Sequence, residues 1–192
     1  MNSLFFFWAI TDLALSCFLT GFPSVLHISK TMEKIRKAGP GDIKGIWKIF
    51  HEIIQSGDVY VFPPETNFKD FKNYWFSKEL KCFVITNGRA LLGSYILKAN
   101  QPGLGAHIAN ASYIVDPVHQ GKGIGKKLCS HSISEARKSG YLAIQFNIVV
   151  STNKTAIELW KKAGFEIIGT TPMGFKHQKL GYVDTYIMYR KL

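Results

Sequence analysis

This chain is short of acidic residues, short of cysteine, and free of any long run of one charge. Its 192 residues hold 13 Asp and Glu against 24 Lys and Arg, a formal net charge of +11. No five like charges stand in a row, so the basicity is spread over a surface and not gathered into a polyelectrolyte tail. Such a surface attracts polyanions, either nucleic acid or a phosphorylated small molecule. No basic helix, helix-turn-helix pattern, zinc spacing or set of stacked strand aromatics is visible, so no nucleic-acid partner is expected. The three cysteines, Cys17, Cys82 and Cys129, are far apart with no C-x-x-C. That excludes a disulfide framework and points to a reducing, cytoplasmic setting. The six histidines show no metal-ligand spacing with cysteine or acid, and no metal is expected. What is plentiful is apolar: 46% hydrophobic and 14% aromatic residues, enough for one globular core without staples.

Residues 1–31 read differently from the rest. Positions 4–28 are mostly apolar, with Asp12 as their only charge. Their length suits a membrane span, but Asp12 and Pro23 interrupt it, and no positive segment precedes it as a signal peptide requires. The expectation is that Met32 is the working start and 1–31 an upstream over-extension. A membrane anchor is the alternative, and a membrane partner is expected only if 1–31 are retained.

The most informative stretch is Gln120-Gly121-Lys122-Gly123-Ile124-Gly125-Lys126-Lys127. A strand pattern over 108–115 stops at Pro117, and a helix pattern opens near Gly123. Glycines tolerate positive φ and leave the backbone open to a ligand. Several N–H groups can therefore converge at a helix N-terminus, where orphan donors and the helix dipole favour an anion. Lys122, Lys126 and Lys127 add charge around it. The spacing is not a Walker A loop, which needs Ser or Thr after its Gly-Lys, nor G-x-G-x-x-G, since Gly125 comes one residue early. It is Q-x-x-G-x-G, and it closely resembles the pyrophosphate-binding motif of the GNAT acetyltransferase superfamily, which holds coenzyme A.

Periodicity supplies the remaining elements. A helical stripe of Ile43, Ile46, Trp47, Phe50, Ile53 and Ile54 follows Pro40, and Phe68, Phe71 and Trp75 repeat it in a shorter helix. Between them Tyr60-Val61-Phe62-Pro63-Pro64 forms a stiff aromatic loop. Asn87-Gly88 joins two apolar strands as a hairpin. After the cradle come a helix to about 139, a strand with Ile144, Phe146 and Ile148 alternating, and a helix opened by Asn153 with Ala156, Leu159, Trp160 and Ala163 inward. Strands at 165–169 and 183–189 close the chain, joined by a long Gly/His/Lys loop. The order β-α-α-β-β-β-α-β-α-β-β, an α/β (α+β) arrangement, resembles the GNAT fold over roughly 160 residues: a mixed, mostly antiparallel sheet with one splayed parallel pair. Asn153-x-x-Ala156-x-x-Leu159-Trp160-x-x-x-Gly164-Phe165 is similar to that family's N-x-x-A-x-x-L-Y-x-x-x-G-F signature.

The resemblance implies acetyl-CoA as co-substrate and direct transfer of acetyl to an amine. Backbone donors for the thioester oxyanion and the pantetheine arm would come from Tyr113, Ile114 and Val115. Gln120, Gly121, Lys122, Gly123, Ile124, Gly125 and Lys126 would take the pyrophosphate, and Asn153 would meet the pantetheine arm or a water. The aromatic loop would line the acceptor site, or serve only packing.

Two familiar groups are missing. Many relatives use a glutamate on the strand before the cradle as base, and residues 91–115 contain no carboxylate. The signature tyrosine that protonates the departing thiolate is Trp160 here. What is polar is Asn110 on the strand before the cradle and Asn147 on the strand after the helix. Their placement resembles a GNAT branch, including fungal enzymes acting on proline-like amino acids, in which carboxamides position the substrate. The alternative is that both asparagines only satisfy backbone groups. His177, Tyr182 and Asp184 are weaker acceptor-site candidates. The expected function is N-acetylation of a small primary or secondary amine or amino acid, with a homodimer left open. The alternatives are a protein N-terminal or lysine acetyltransferase and a non-catalytic coenzyme-A-binding module.

Overall fold

The computed structural model describes residues 32–192; the expectations about 1–31, Cys17 included, lie outside the described residues. Eleven principal elements follow the order read from sequence: β1 (Glu33–Lys37), α1 (Ile43–Gln55), α2 (Phe68–Trp75), β2 (Lys81–Asn87), β3 (Ala90–Ala99), β4 (Ile108–Val115), α3 (Ile124–Lys138), β5 (Ala143–Val150), α4 (Lys154–Lys162), β6 (Glu166–His177) and β7 (Gly181–Lys191). The strands form one seven-stranded sheet in the order β1-β2-β3-β4-β5-β7-β6. Every pairing is antiparallel except β4 with β5. The crossover through α3 makes that pair parallel, because a strand that leaves by a helix on one face returns in the same direction. No helix among the described residues is long and apolar enough to cross a membrane.

Helices cover both faces of the sheet. Alternate residues of β2 and β3 therefore serve different cores, and these strands read as near-continuous apolar runs, broken in β3 by buried Ser94, whose Oγ donates to Phe83 C=O at 2.8 Å. On one face Val84, Ile96 and Ile114 meet Ile46, Phe50, Phe71 and Trp75 of α1 and α2. On the other, Ile85, Tyr95 and Leu97 meet Leu128, Ile133 and Ala136 of α3, with Ile157 and Trp160 of α4 in the same core. Phe50, Phe71 and Trp75 have no exposed surface, and burying each such side chain contributes about 1.5–3 kcal/mol. Their rings pack at centroid separations of 5.0–6.1 Å, within the range of attractive aromatic pairs.

Two sequence expectations are corrected. Ile148 does not continue the inward alternation of Ile144 and Phe146: it is 49% exposed while Val149 and Val150 are buried. The β5–β7 register slips between Phe146 and Val149, and an irregularity of one residue turns every later side chain over. The long loop expected between the last two strands is instead strand, extending β6 to His177 and starting β7 at Gly181. Pro172 and Gly174 fall at a register break between Thr171 and Phe175 on the edge of the sheet, where a missing N–H and an irregular backbone are tolerated. Asp184 Oδ1 accepts from Met173 N–H at 3.0 Å and fastens the bulge.

Candidate active site

The site begins where the parallel pair fails. β4 and β5 are paired only at Ile108–Ala143 and Ala109–Ile144 and then diverge. A cleft of about 660 Å³ occupies the opening. In an antiparallel ladder a residue directs its N–H and C=O to the same neighbour, and successive residues alternate. Asp116 N–H donates to Leu92 and Ile108 C=O accepts from Asn100, both on the β3 side, at 2.9 and 2.8 Å. Even-numbered residues of β4 thus face β3, and Tyr113 and Val115 direct their N–H groups to the open edge. Tyr113 C=O agrees with this parity: it accepts a 3.2 Å hydrogen bond from Tyr60 Oη. Tyr113 and Val115 line the cleft. Ile114 does not: its side chain is 1% exposed in the core beneath α1, and its backbone is paired with Ser94.

At one end of the cleft the chain turns from β4 into α3. Asp116 Oδ1 accepts from Val118 N–H at 3.0 Å and starts a short turn over Pro117–His119. Gly121 and Gly123 follow with φ of 75° and 78°, a region that costs other residues about 1–2 kcal/mol. No side chain caps α3. Its first hydrogen bond runs from Lys127 N–H to Gly123 C=O at 3.1 Å, which leaves the N–H groups of Ile124, Gly125 and Lys126 without a helical partner. Gln120, Gly121, Gly123, Ile124, Gly125 and Lys126 all line the cleft. Gly125 answers a packing need, since a Cβ there would stand 3.1 Å from Leu159 Cδ2 of α4. The lysine crown is smaller than the sequence suggests. Lys122 folds back to donate to Val118 C=O at 3.0 Å, Lys127 pairs with Glu33, and only Lys126 lines the cleft.

The other end is built from side chains. Asn110 Nδ2 donates to Gln145 C=O at 2.9 Å, holding a carbonyl that the parallel ladder no longer reaches. Asn147 Oδ1 accepts from Gln145 Nε2 at 3.0 Å, and its Nδ2 donates to Asn100 Oδ1 at 2.7 Å. Asn153 caps α4, its Oδ1 accepting from Ala156 N–H at 3.1 Å. Asn100, Asn110, Asn147 and Asn153 all line the cleft, as do Tyr60, Val61 and Phe62 of the aromatic loop. Sequence reasoning missed Tyr74, Lys98, Asn100, Ser112 and His119, which also line it. Two of these carried a usable signal: Lys98 stands opposite Asn110 in the β3–β4 register, and Ser112 lies two residues from Asn110 on the same face of β4.

Among the described residues, none that lines the cleft is Asp or Glu. The phenols offer no acid tuned to neutrality either, because burial pushes Tyr60 and Tyr113 far up, and Tyr113 Oη is bonded to Ser132 Oγ at 2.7 Å. Trp160 stands 4.8 Å from the Tyr113 ring and 5.0 Å from Phe146, part of the aromatic wall. His177 is elsewhere: its Nδ1 accepts from Lys179 and Leu180 N–H at 3.1 and 3.3 Å and closes the β6–β7 turn. Tyr182 is 66% exposed, Asp184 holds the β6 bulge, and neither lines the cleft.

The structure resembles that of a GCN5-related N-acetyltransferase from Kribbella flavida, with a TM-score of 0.80, 36% identity, and coverage of 83% of this chain and 98% of that one. Over 99 residues the chain is 37% identical to N-acetyltransferase aca1 of Schizosaccharomyces pombe, covering 51% of this chain and 47% of that protein. It is 38% identical over 66 residues to the L-amino acid N-acyltransferase MnaT of Escherichia coli, covering 34% and 38% respectively. The chain thus spans less than half the length of these two curated relatives. The family model described as "Acetyltransferase (GNAT) family" matches residues 47–165, a span that contains the cradle, the splayed strands and all of α4; the chain belongs to the GNAT acetyltransferase family.

Proposed function

We propose that this protein transfers the acetyl group of acetyl-CoA to the amine of a small molecule or amino acid, by direct attack within a ternary complex. The observation that carries the reading is the continuity between cradle and open strand edge. Uncapped N–H groups at the start of α3 suit a pyrophosphate. The free N–H groups of Tyr113 and Val115 border the same cleft and suit a pantetheine arm and its thioester. A tetrahedral oxyanion forms when an amine attacks that carbonyl, and a fixed backbone donor is worth roughly 2.7–4 kcal/mol to such a centre. Asn110 and Asn147 would orient the acceptor, a role that needs no ionisation. Asn153 would contribute its Nδ2, since its Oδ1 is engaged in capping. The names of aca1 and MnaT, an N-acetyltransferase and an L-amino acid N-acyltransferase, support the same reading.

An alkylammonium with a pKa near 10 is neutral in about one molecule in a thousand at pH 7, and no carboxylate in the cleft is available to deprotonate it. That gap favours, as a second reading, a module that binds coenzyme A without transferring acetyl. The test is release of free thiol from acetyl-CoA across a panel of amines and amino acids, with the N-acetyl product identified by mass. Binding without product from any acceptor would select the second reading. We propose a cytoplasmic setting, which the free, buried thiols of Cys82 and Cys129 support.

A further inference from the structure

Within the acetyl-transfer reading, on which this rests, we infer that the acceptor carries a carboxylate beside its amine and that Lys98 is the residue that binds it. Among the described residues, the cleft is lined by two lysines, Lys98 and Lys126, and by no acid. Lys126 belongs to the cradle. Lys98 stands in the β3–β4 register opposite Asn110, so the two side chains lie on the same face of the sheet at the acceptor end. Its ammonium lies 5.5 Å from the centre of the Tyr74 ring, which holds the charge by cation–π attraction without neutralising it. No acid among the described residues pairs with Lys98, and the side chain is half-buried.

An unpaired cation facing a cleft without acids imposes a sign on what binds. A monoamine, a polyamine or a lysine side chain would surrender its hydration shell, meet a like charge and find no counter-charge, and a buried charge without a partner is strongly disfavoured. An amino acid brings its own anion. Its carboxylate can meet Lys98 while its nitrogen turns toward the open edge at Tyr113 and Val115. Asn110 uses Nδ2 to reach Gln145; among the described residues its Oδ1 has no partner, and it is an acceptor suited to an amine N–H. The same cation bears on chemistry. A positive charge near a bound ammonium lowers its pKa and enlarges the neutral fraction, with the proton passing to water, since a protonated lysine cannot accept it. Specificity and amine acidity would then share one residue.

The experiment compares kcat and KM of the full chain for a panel of α-amino acids and the carboxamide of each, in wild type, Lys98→Met and Lys98→Arg, with acetyl-CoA binding measured alongside. Wild type should prefer acid over amide by at least ten-fold in kcat/KM. Lys98→Met should reduce that preference ten-fold or more through KM for the acid, Lys98→Arg should retain most of it, and acetyl-CoA affinity should stay within about two-fold. Equal losses for acid and amide in Lys98→Met would reduce Lys98 to a prop for Tyr74 and overturn the inference. A wild-type preference for amides or polyamines would overturn it while leaving acetyl transfer intact. Binding of acetyl-CoA with transfer to no acceptor would overturn both readings.

Discussion

At the α3 end of the cleft the polar groups belong to the backbone, and at the end beside Asn110 and Asn147, the proposed acceptor end, they belong to side chains. The N–H groups of Ile124, Gly125 and Lys126 are presented by the geometry of a helix start that no side chain caps. Asn110, Asn147 and Lys98 are presented by rotamers, one of them fixed by a carbonyl across the splay and another by a neighbouring amide. The first kind of site tolerates any residue that leaves the backbone path alone and fails when that path is altered. The second can be retuned one side chain at a time.

The sharpest way to break the contrast is Gly123→Glu. The position requires φ of 78°, strained for any side chain, and the new carboxylate would occupy the proposed anion site. Acetyl-CoA affinity by calorimetry should fall by about 100-fold or more, on the order of 2.7 kcal/mol. Circular dichroism should show a retained fold, because a Cβ at Gly123 meets nothing within 4 Å. Unchanged affinity would mean that the cradle is not a phosphate site.

At the other end, Asn110→Ala and Asn147→Ala should each lower acetyl transfer ten-fold or more, about 1.4 kcal/mol in the barrier, with acetyl-CoA affinity nearly unchanged. The two should part in stability. Asn110→Ala orphans the Gln145 carbonyl and should cost about 1 kcal/mol in urea unfolding, whereas Asn147 is exposed and should cost less. Activity retained in both variants would return these asparagines to a structural role.

A gentler probe is the pH–rate profile. With no acid in the lining, activity should climb toward the acceptor amine's own pKa, with no limb set by a protein base. Among the described residues, His119 is the one imidazole that lines the cleft. An acid limb between about 6 and 7, erased in His119→Ala, would make that histidine the base.

The smallest expected effect lies outside the cleft. Arg36 reaches Asp42 with hydrogen bonds of 2.7 and 2.8 Å and, together with a bond from Gly39 N–H, holds the Asp42 carboxyl below its usual range. A lowered folded pKa means that the unfolded chain takes up the proton first. The pair therefore stabilises above about pH 4 and loses its contribution as pH falls below that through the folded value. Arg36 is well exposed, and after solvent screening the contribution should be under about 1 kcal/mol. Asp42→Asn should flatten the urea midpoint between pH 5 and 3 by that much and leave neutral activity unchanged.

Much of this was legible because it is local. Gln120 to Gly125 declare their turn through positive φ and missing side chains, and Asn87-Gly88 declares a hairpin through the same property. The stripe of Ile46, Phe50 and Ile54 declares a helix face. The misreadings share a different cause. Ile148, Pro172 and Gly174 sit at register breaks, and a break depends on the partner strand β7, far along the chain. Lys122 and Lys127 were placed by proximity in sequence, but Lys127 is claimed by Glu33, 94 residues earlier in the chain.

By itself, then, the sequence determined the element order, the cradle and the absence of a carboxylate from residues 91–115. These rest on backbone preferences and composition, which need no distant partner. Only the tertiary structure decided that Tyr113 and Val115 face the open edge while Ile114 does not, and that Lys98 stands beside Asn110 in a cleft with no acid anywhere in its lining. Those facts depend on where two parallel strands stop pairing, which is set by how α3, α4 and β7 pack around β5 and is written in no single segment of the chain.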